Sequence, residues 1–292
     1  MSDRDRELFE SHETDVVTAF EGDMPVGTKT PSAFTRRLRQ YTPALILFFL
    51  VIVAWEVTTT VLEVKSFILP KPTEIASAFV DKFDVIWRAG LNTLIEAVGG
   101  FIIGATFGVL VALVTVRWRS ARNGLMPFAV AANAIPIIAL APIMNAWFSI
   151  TSPVSKMAVV AVIVFFPVMI NTARGLTEVD EEELELMRSM AATDREIMQH
   201  IRIPSALPYF FSALKVASAL ALIAAIVAEY FGGPQDVLGQ YILNRANLFQ
   251  FPDAWAGILV ASVVGISFYV LILLAERVFM PWHVSFRAAD DR

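Results

Sequence analysis

The side chains able to do chemistry at membrane depth in this sequence are few: Glu56, Asn92, Glu96, Asn133, Asn145, Asn171, Lys215 and Glu229 lie within or beside long apolar runs. A charge at the centre of a bilayer costs about 3 kcal/mol on insertion scales, so such residues mark an interior or a solute pathway by default. Glu56, Glu96, Lys215 and Glu229 are also near enough to span ends to snorkel or hydrate. Asn133 and Asn145 flank Pro136 and Pro142. Each proline removes a backbone donor and frees a carbonyl that must face protein or a watery cavity. Two readings stay open for this break. One is a solute path beside Asn133, Pro136, Pro142 and Asn145, with Glu229; the other is packing on neighbouring spans, with Ser or Thr satisfying the carbonyls.

Other chemistries lack their residues. With no cysteine there is no disulfide, iron–sulfur cluster or thiol nucleophile, and His12, His200 and His283 fall in three distant segments, which argues against a metal cluster. A phosphate-cradling loop needs Gly-x-x-x-x-Gly-Lys-Ser/Thr between a strand and a helix. Gly22 and Gly27 have that separation, but Thr28 displaces Lys29 by one position in an acidic, turn-rich segment. Any ATP would therefore have to be handled by another chain. No catalytic residue, metal or cofactor is assigned.

The elements that position these residues are membrane spans. Of 292 residues 56% are hydrophobic and only 17% charged, and the mean hydropathy is +0.61, which excludes a soluble globule, a disordered chain and a coiled coil. Runs of roughly 20 apolar residues suffice to cross about 30 Å of hydrocarbon. Six spans are expected, at 43–62, 91–116, 125–148, 154–173, 209–231 and 252–280, with prolines interrupting the third and fourth. Residues 1–40, broken by Gly22, Pro25, Gly27 and Pro31, are expected to be a disordered tail. A membrane domain follows over 41–284, with a long loop at 174–208 and a second tail at 285–292. If the amino terminus is inside, 17 of the 23 lysines and arginines are cytoplasmic, which predicts both termini in the cytoplasm. The formal charge of −5 stems mainly from eight acids in the tail and eight at 178–196.

The loop at 174–208 is longer than a helix hairpin needs. Thr177 precedes Asp180, and Thr193 precedes Glu196, by the spacing of a capping box. Two short helices are expected. The first, 178–190, carries Leu184, Met187 and Ala191 on one stripe; the second, 194–203, carries Ile197 and Ile201 one turn apart and is stopped by Pro204 and Pro208. Such a pair either packs on its own spans or docks into a groove on a soluble partner.

The run from Glu185 through Arg188, Ala191 and Ala192 to Thr193, followed by Ile201-Arg202-Ile203-Pro204, resembles the Glu-Ala-Ala loop of permease subunits from binding-protein-dependent ABC importers. Glu185, the spacing, Ile201 and Pro204 match that pattern. Leu186 and Met187 replace paired alanines, Ile203 a leucine and Ala191 a glycine, so that a positive φ at 191 would be strained. The resemblance covers roughly residues 65–280. Ile68-Leu69-Pro70-Lys71-Pro72-Thr73, the stretch from Ile135-Pro136 to Ala141-Pro142, Trp147-Phe148, and Glu229-Tyr230-Phe231-Gly232-Gly233 are similar to the branch importing nitrate, sulfonates, taurine, riboflavin or pyrimidine precursors of thiamine, leaning towards the last two.

The resemblance implies an all-α, six-span permease of the type I (MetI-like) fold in a bacterial cytoplasmic membrane, surrounded by lipid. It implies a coupling loop, here Glu185, Arg188, Ala191, Ala192, Thr193, Ile197, Ile201 and Pro204, gripped by a separate ATPase present in two copies. A second permease copy, as a homodimer, and an extracytoplasmic binding protein complete the implied complex; no nucleic acid is involved. A secondary transporter working without ATP would need buried coupling carboxylates in pseudo-symmetric halves, and an intramembrane enzyme would need paired catalytic groups at mid-depth. Neither pattern is visible.

Gly100, Gly104 and Gly108 recur every four residues in the second span, which predicts close helix contact, within the chain or between subunits. Outside the spans, Ile75, Phe79 and Phe83 step by four and predict a short helix lying on the membrane or under a docked partner, while 232–239 is expected to be a turn-rich connector.

Overall fold

The computed structural model describes residues 33–132 and 136–281, and every regular element among them is helical. In chain order these are α1 (Ala33–Val61), α2 (Pro72–Asp81), α3 (Phe83–Arg117), α4 (Arg119–Ala132), α5 (Ile137–Phe148), α6 (Pro153–Thr177), α7 (Glu181–Ser189), α8 (Asp194–Ile197), α9 (Ile203–Tyr230), α10 (Leu238–Asn247) and α11 (Phe251–Phe279). A π turn, Met198–Arg202, joins α8 to α9. Five helical stretches are long and apolar enough to cross a membrane: Thr42–Val61, α3, α6, the continuous Asp194–Tyr230 and α11.

The chain divides after Ala54 into two units. Of the first, the described part is the leading portion of α1, which starts at Ala33, so that residues 33–40 are helical where a tail is expected. Leu45, Leu47, Phe48, Phe49 and Val51 are all exposed, the pattern of a helix that presents apolar groups on every side to lipid or to another chain. In the second unit α3, α6 and α9 pack in sequence, α11 lies on α9 and α3, α10 and α2 lie on α11, and α5 lies on α6.

Small residues hold this unit together. Ala97, Ala217, Ala221, Ala224, Ala225 and Ala256 are fully buried; lipid supplies no hydrophobic drive between helices, so close van der Waals fit must. Gly100, Gly104 and Gly108 face α6. A Cβ at Gly100 would sit 2.5 Å from the Met157 carbonyl oxygen and one at Gly108 2.9 Å from that of Phe165, while Gly104 meets the Ala161 carbonyl. Three glycines four residues apart thus meet three carbonyls four residues apart. An ion pair adds a polar clamp: Lys215 Nζ donates to both carboxylate oxygens of Glu276, 2.9 Å each, tying α9 to α11.

Several helix boundaries depart from the sequence expectation. The third expected span is two pieces, α4 of 14 residues and α5 of 12, each about 20 Å long at 1.5 Å per residue and too short to cross alone. Pro136 caps α5 in an extended conformation at φ −66°, ψ 117°. The fourth span is unbroken, with Pro153 in its first turn and Pro167 inside it; the Asn171 amide donates to the Pro167 carbonyl at 2.8 Å. Pro204 and Pro208 do not stop the second loop helix. Pro204 opens α9 and Pro208 lies within it, because the preceding turn widens: the Ile203 amide bonds to Met198 O, five residues back. The widened turn carries the chain past a proline that has no N–H to give.

Candidate functional site

The loop between α6 and α9 is an elbow whose corner is left-handed. Thr177 is not the cap of α7: its hydroxyl bonds back to Ala173 O at 2.9 Å and closes α6, while Asp180 accepts from the Glu182 amide at 3.1 Å and starts α7. The second capping box forms as spaced. The Thr193 amide donates to Glu196 Oε2 at 2.7 Å, and the Glu196 amide donates to Thr193 Oγ1 at 3.3 Å. Between them Ala191 adopts φ +56°, a conformation that costs an L-residue about 1–2 kcal/mol. Ala191→Gly should therefore stabilise the elbow by about 1 kcal/mol after the entropy of glycine is counted. Amide exchange in α7 and α8 should slow about fivefold; unchanged or faster exchange would refute the strain.

The elbow is braced from behind. Arg202 Nη1 donates to Leu176 O at 2.9 Å, and Gly175 admits α9 so closely that a Cβ there would lie 2.8 Å from Ala206 Cα. Ile197 is 7% exposed and anchors α8, whereas Glu185, Arg188, Ala191 and Thr193 are exposed and Ala192, Ile201 and Pro204 are half-buried. Leu184 and Met187 are half-buried. The outward apolar groups are Leu186 at 62% and Met190 at 71% exposure. Of the sequence stripe, Leu184 and Met187 are partly covered while Ala191 is exposed; Leu186 and Met190, four residues apart, form the outward apolar pair.

A polar cluster occupies the opposite end, where α3, α6 and α11 begin and α9 ends. Glu229 is fully buried; its Oε2 accepts from the Gly239 amide at 2.6 Å and its carbonyl from Gln240 Nε2 at 2.5 Å. It caps the start of α10, a helix that begins where the turn-rich connector expected at 232–239 ends. Gly239 is obligatory there, since a Cβ would lie 2.6 Å from Glu229 Cβ. The neighbouring Leu238 amide donates to Thr93 Oγ1 at 2.9 Å. Asn92 Nδ2 holds Asp236 through its carbonyl at 2.8 Å and its carboxylate at 3.0 Å.

Asn145 belongs to the same cluster, and Asn133 lies outside the described residues. Asn145 Nδ2 donates to Phe231 O at 3.3 Å, and its Oδ1 accepts from Lys156 Nζ at 3.4 Å. Lys156 also donates to Ile150 O. Lys156 was not among the polar candidates singled out in the sequence; the structure buries it completely. Its position three residues into an apolar run was the available signal. Pro136 and Pro142 are exposed and make no part of this network.

Of the other intramembrane candidates, Glu56 caps α2, accepting from the Thr73 amide at 3.1 Å and hydroxyl at 2.9 Å. The expected amphipathic helix is α2 itself, with Ile75 buried and Phe79 edge-on to Phe83 at 5.4 Å.

Residues 104–282 match the family model of binding-protein-dependent transport system inner membrane components. The formylaminopyrimidine transport permease protein of Halalkalibacterium halodurans is 30% identical over 85% of this chain and 98% of its own length. The riboflavin transport system permease protein of Chloroflexus aurantiacus is 29% identical over 90% of this chain and 98% of its own. In fold, the chain resembles a crystal structure of an amino acid ABC transporter with histidines, at a TM-score of 0.55, 18% identity and coverage of 68% of this chain and 96% of that one. A helical bundle carrying a capped, left-handed elbow, with this match over most of its length, belongs to the binding-protein-dependent transport system inner membrane component family, as an ABC importer permease of the type I fold.

Proposed function

We propose that this chain forms the path by which a small solute, delivered by an extracytoplasmic binding protein, crosses the bacterial cytoplasmic membrane, driven by a separate ATPase. The carrying observation is the elbow. Leu186 and Met190 project from α7 with Glu185 and Arg188 beside them, on a corner braced by Arg202 and Gly175. An exposed apolar pair ringed by charges is the composition of an interface centre with its polar rim. The excess of lysine and arginine at this end supports an inside location for it and for both termini, with the α10 end outside.

In this reading two ATPases close on ATP and displace the elbows of two permease copies, and the spans rock between inward-open and outward-open states. ATP and the binding protein drive the cycle through their different affinities for the two states. The chain makes and breaks no bond. The cargo is a pyrimidine precursor of thiamine or riboflavin, a choice supported by the two relatives named for such solutes.

The test uses the chain's lack of cysteine. Met190→Cys would carry the only thiol, and a thiol crosslinker applied during turnover should join it to a co-purifying ATPase. Crosslinks that reach only lipid or the same chain would remove the mechanism.

A further inference from the structure

We infer that a groove where α3 and α6 end and α9 begins holds one anionic phospholipid of the inner leaflet, with an acyl chain in the groove and the phosphate on Arg202 and Arg117. The inference rests on the permease reading only in placing this end at the inner leaflet. The groove has a volume of about 220 Å³ and is lined by Val109 and Leu113 from α3, Thr172 and Leu176 from α6, and Ile203 and Phe210 from α9 among others. Every lining side chain but Thr172 is apolar. Thr172 is 5% exposed, and its hydroxyl has no hydrogen-bond partner among the described residues. A buried hydroxyl left unpaired is costly, so this donor calls for an acceptor inside the groove.

Depth and charge say which acceptor fits. Arg117 follows Leu113 by one turn at the end of α3, and Arg202 directly precedes Ile203, so both guanidinium groups belong to the cytoplasmic mouth. Arg202 Nη1 donates to the carbonyl of Leu176, a wall residue, at 2.9 Å, and this bond uses one of the five donors of its fork. Arg117 is exposed. Trp118 beside it is 58% exposed, as aromatic rings are at the level of lipid headgroups. Glu178, which follows α6, is held by Arg174 Nε at 2.9 Å, and no carboxylate pairs with Arg117 or Arg202 among the described residues. Thr172 lies one turn, about 5 Å, deeper than Leu176, below the mouth as the ester carbonyl of a phospholipid lies below its phosphate. Basic pockets between spans on the cytoplasmic side suit acidic lipid heads, and the arginine fork matches a phosphate. A chain seated against Leu176, whose carbonyl Arg202 holds, also stiffens the brace of the elbow.

The experiment is native mass spectrometry of the purified full chain, released from detergent micelles that contain phosphatidylglycerol or phosphatidylcholine with the same acyl chains. Wild type should retain one phosphatidylglycerol, at least tenfold more tightly than phosphatidylcholine. Leu113→Trp, which fills the groove, should lose that lipid, and Arg117→Gln, at an exposed site where folding is not in question, should weaken it about fivefold. Thr172→Val should weaken it about threefold and yet raise the melting temperature of the lipid-free chain, opposite shifts that a hydroxyl with a purely structural role would not give. Equal retention of the two lipids, or unchanged retention in Leu113→Trp and Arg117→Gln, overturns the inference. So does a dimer mass in wild type that falls to a monomer in Leu113→Trp, which would give the groove to a second copy. No ATPase is present, so the Met190→Cys crosslink is an independent readout: a crosslink without lipid retention sinks this inference alone, and retention without a crosslink sinks the coupling mechanism alone.

Discussion

Gly104→Val should lower the unfolding free energy by about 3 kcal/mol or more. The added Cβ would land on the Ala161 carbonyl, and backbone, unlike the end of a flexible side chain, cannot turn aside. Overpacking a well-filled core typically costs about 1–3 kcal/mol. Here α3 and α6 must separate along the contact that Gly100 and Gly108 share, so the upper end applies. The control is Gly124→Ala in α4, where a Cβ meets nothing within 4 Å and should stabilise by about 0.5–1 kcal/mol. Thermal unfolding in nanodiscs measures both. Equal melting temperatures for the two variants would show that the glycine stripe does not set the α3–α6 distance.

Leu186→Asp with Met190→Asp should abolish coupling while leaving the fold in place. Both side chains are more than 60% exposed, and surface substitutions of this kind usually change stability by less than about 0.5 kcal/mol. At the centre of an interface the same groups act as anchors, where truncation costs about 2 kcal/mol or more, or roughly 30-fold in affinity. Solute uptake into proteoliposomes carrying the ATPase should fall at least 30-fold, with an unchanged melting temperature. Uptake within twofold of wild type would mean that the elbow's outward face is not where force is applied.

The local parts of this architecture were legible because they depend on neighbours a few residues apart. The Thr193–Glu196 box, the apolar runs and the four-residue glycine step are of this kind, as is the α2 stripe of Ile75 and Phe79. Thr177 shows the limit of local reading. It has capping spacing to Asp180, but its hydroxyl is used by Ala173 O, so α6 continues through it and Asp180 caps in its place. Spacing could not decide between two polar residues three apart. Pro204 and Pro208 read as stops, yet the π turn and the Arg202 bond to Leu176 O carry the helix through. Neither device has a sequence signature.

The polar cluster was less legible. Glu96, Asn145 and Glu229 were visible as polar residues in apolar runs, but Lys156 was not singled out, and α10 was hidden in a segment of low hydrophobicity. Its start depends on Glu229, ten positions upstream of the Gly239 amide it accepts from, and on Thr93, 145 positions upstream of the Leu238 amide it accepts from.

The sequence alone determined that the chain enters the membrane, which stretches are apolar enough to cross it, and which loop resembles a coupling elbow, because hydrophobic run length, charge position and capping are properties of neighbouring residues. Only the tertiary structure decided that α3 and α6 touch through glycine and carbonyl, that the elbow shows Leu186 and Met190 to the outside, and that Glu96 of α3 and Glu229 of α9 meet in one buried polar cluster. Those facts depend on which faces meet when helices distant in sequence pack, and a face acquires its meaning only from what lies against it.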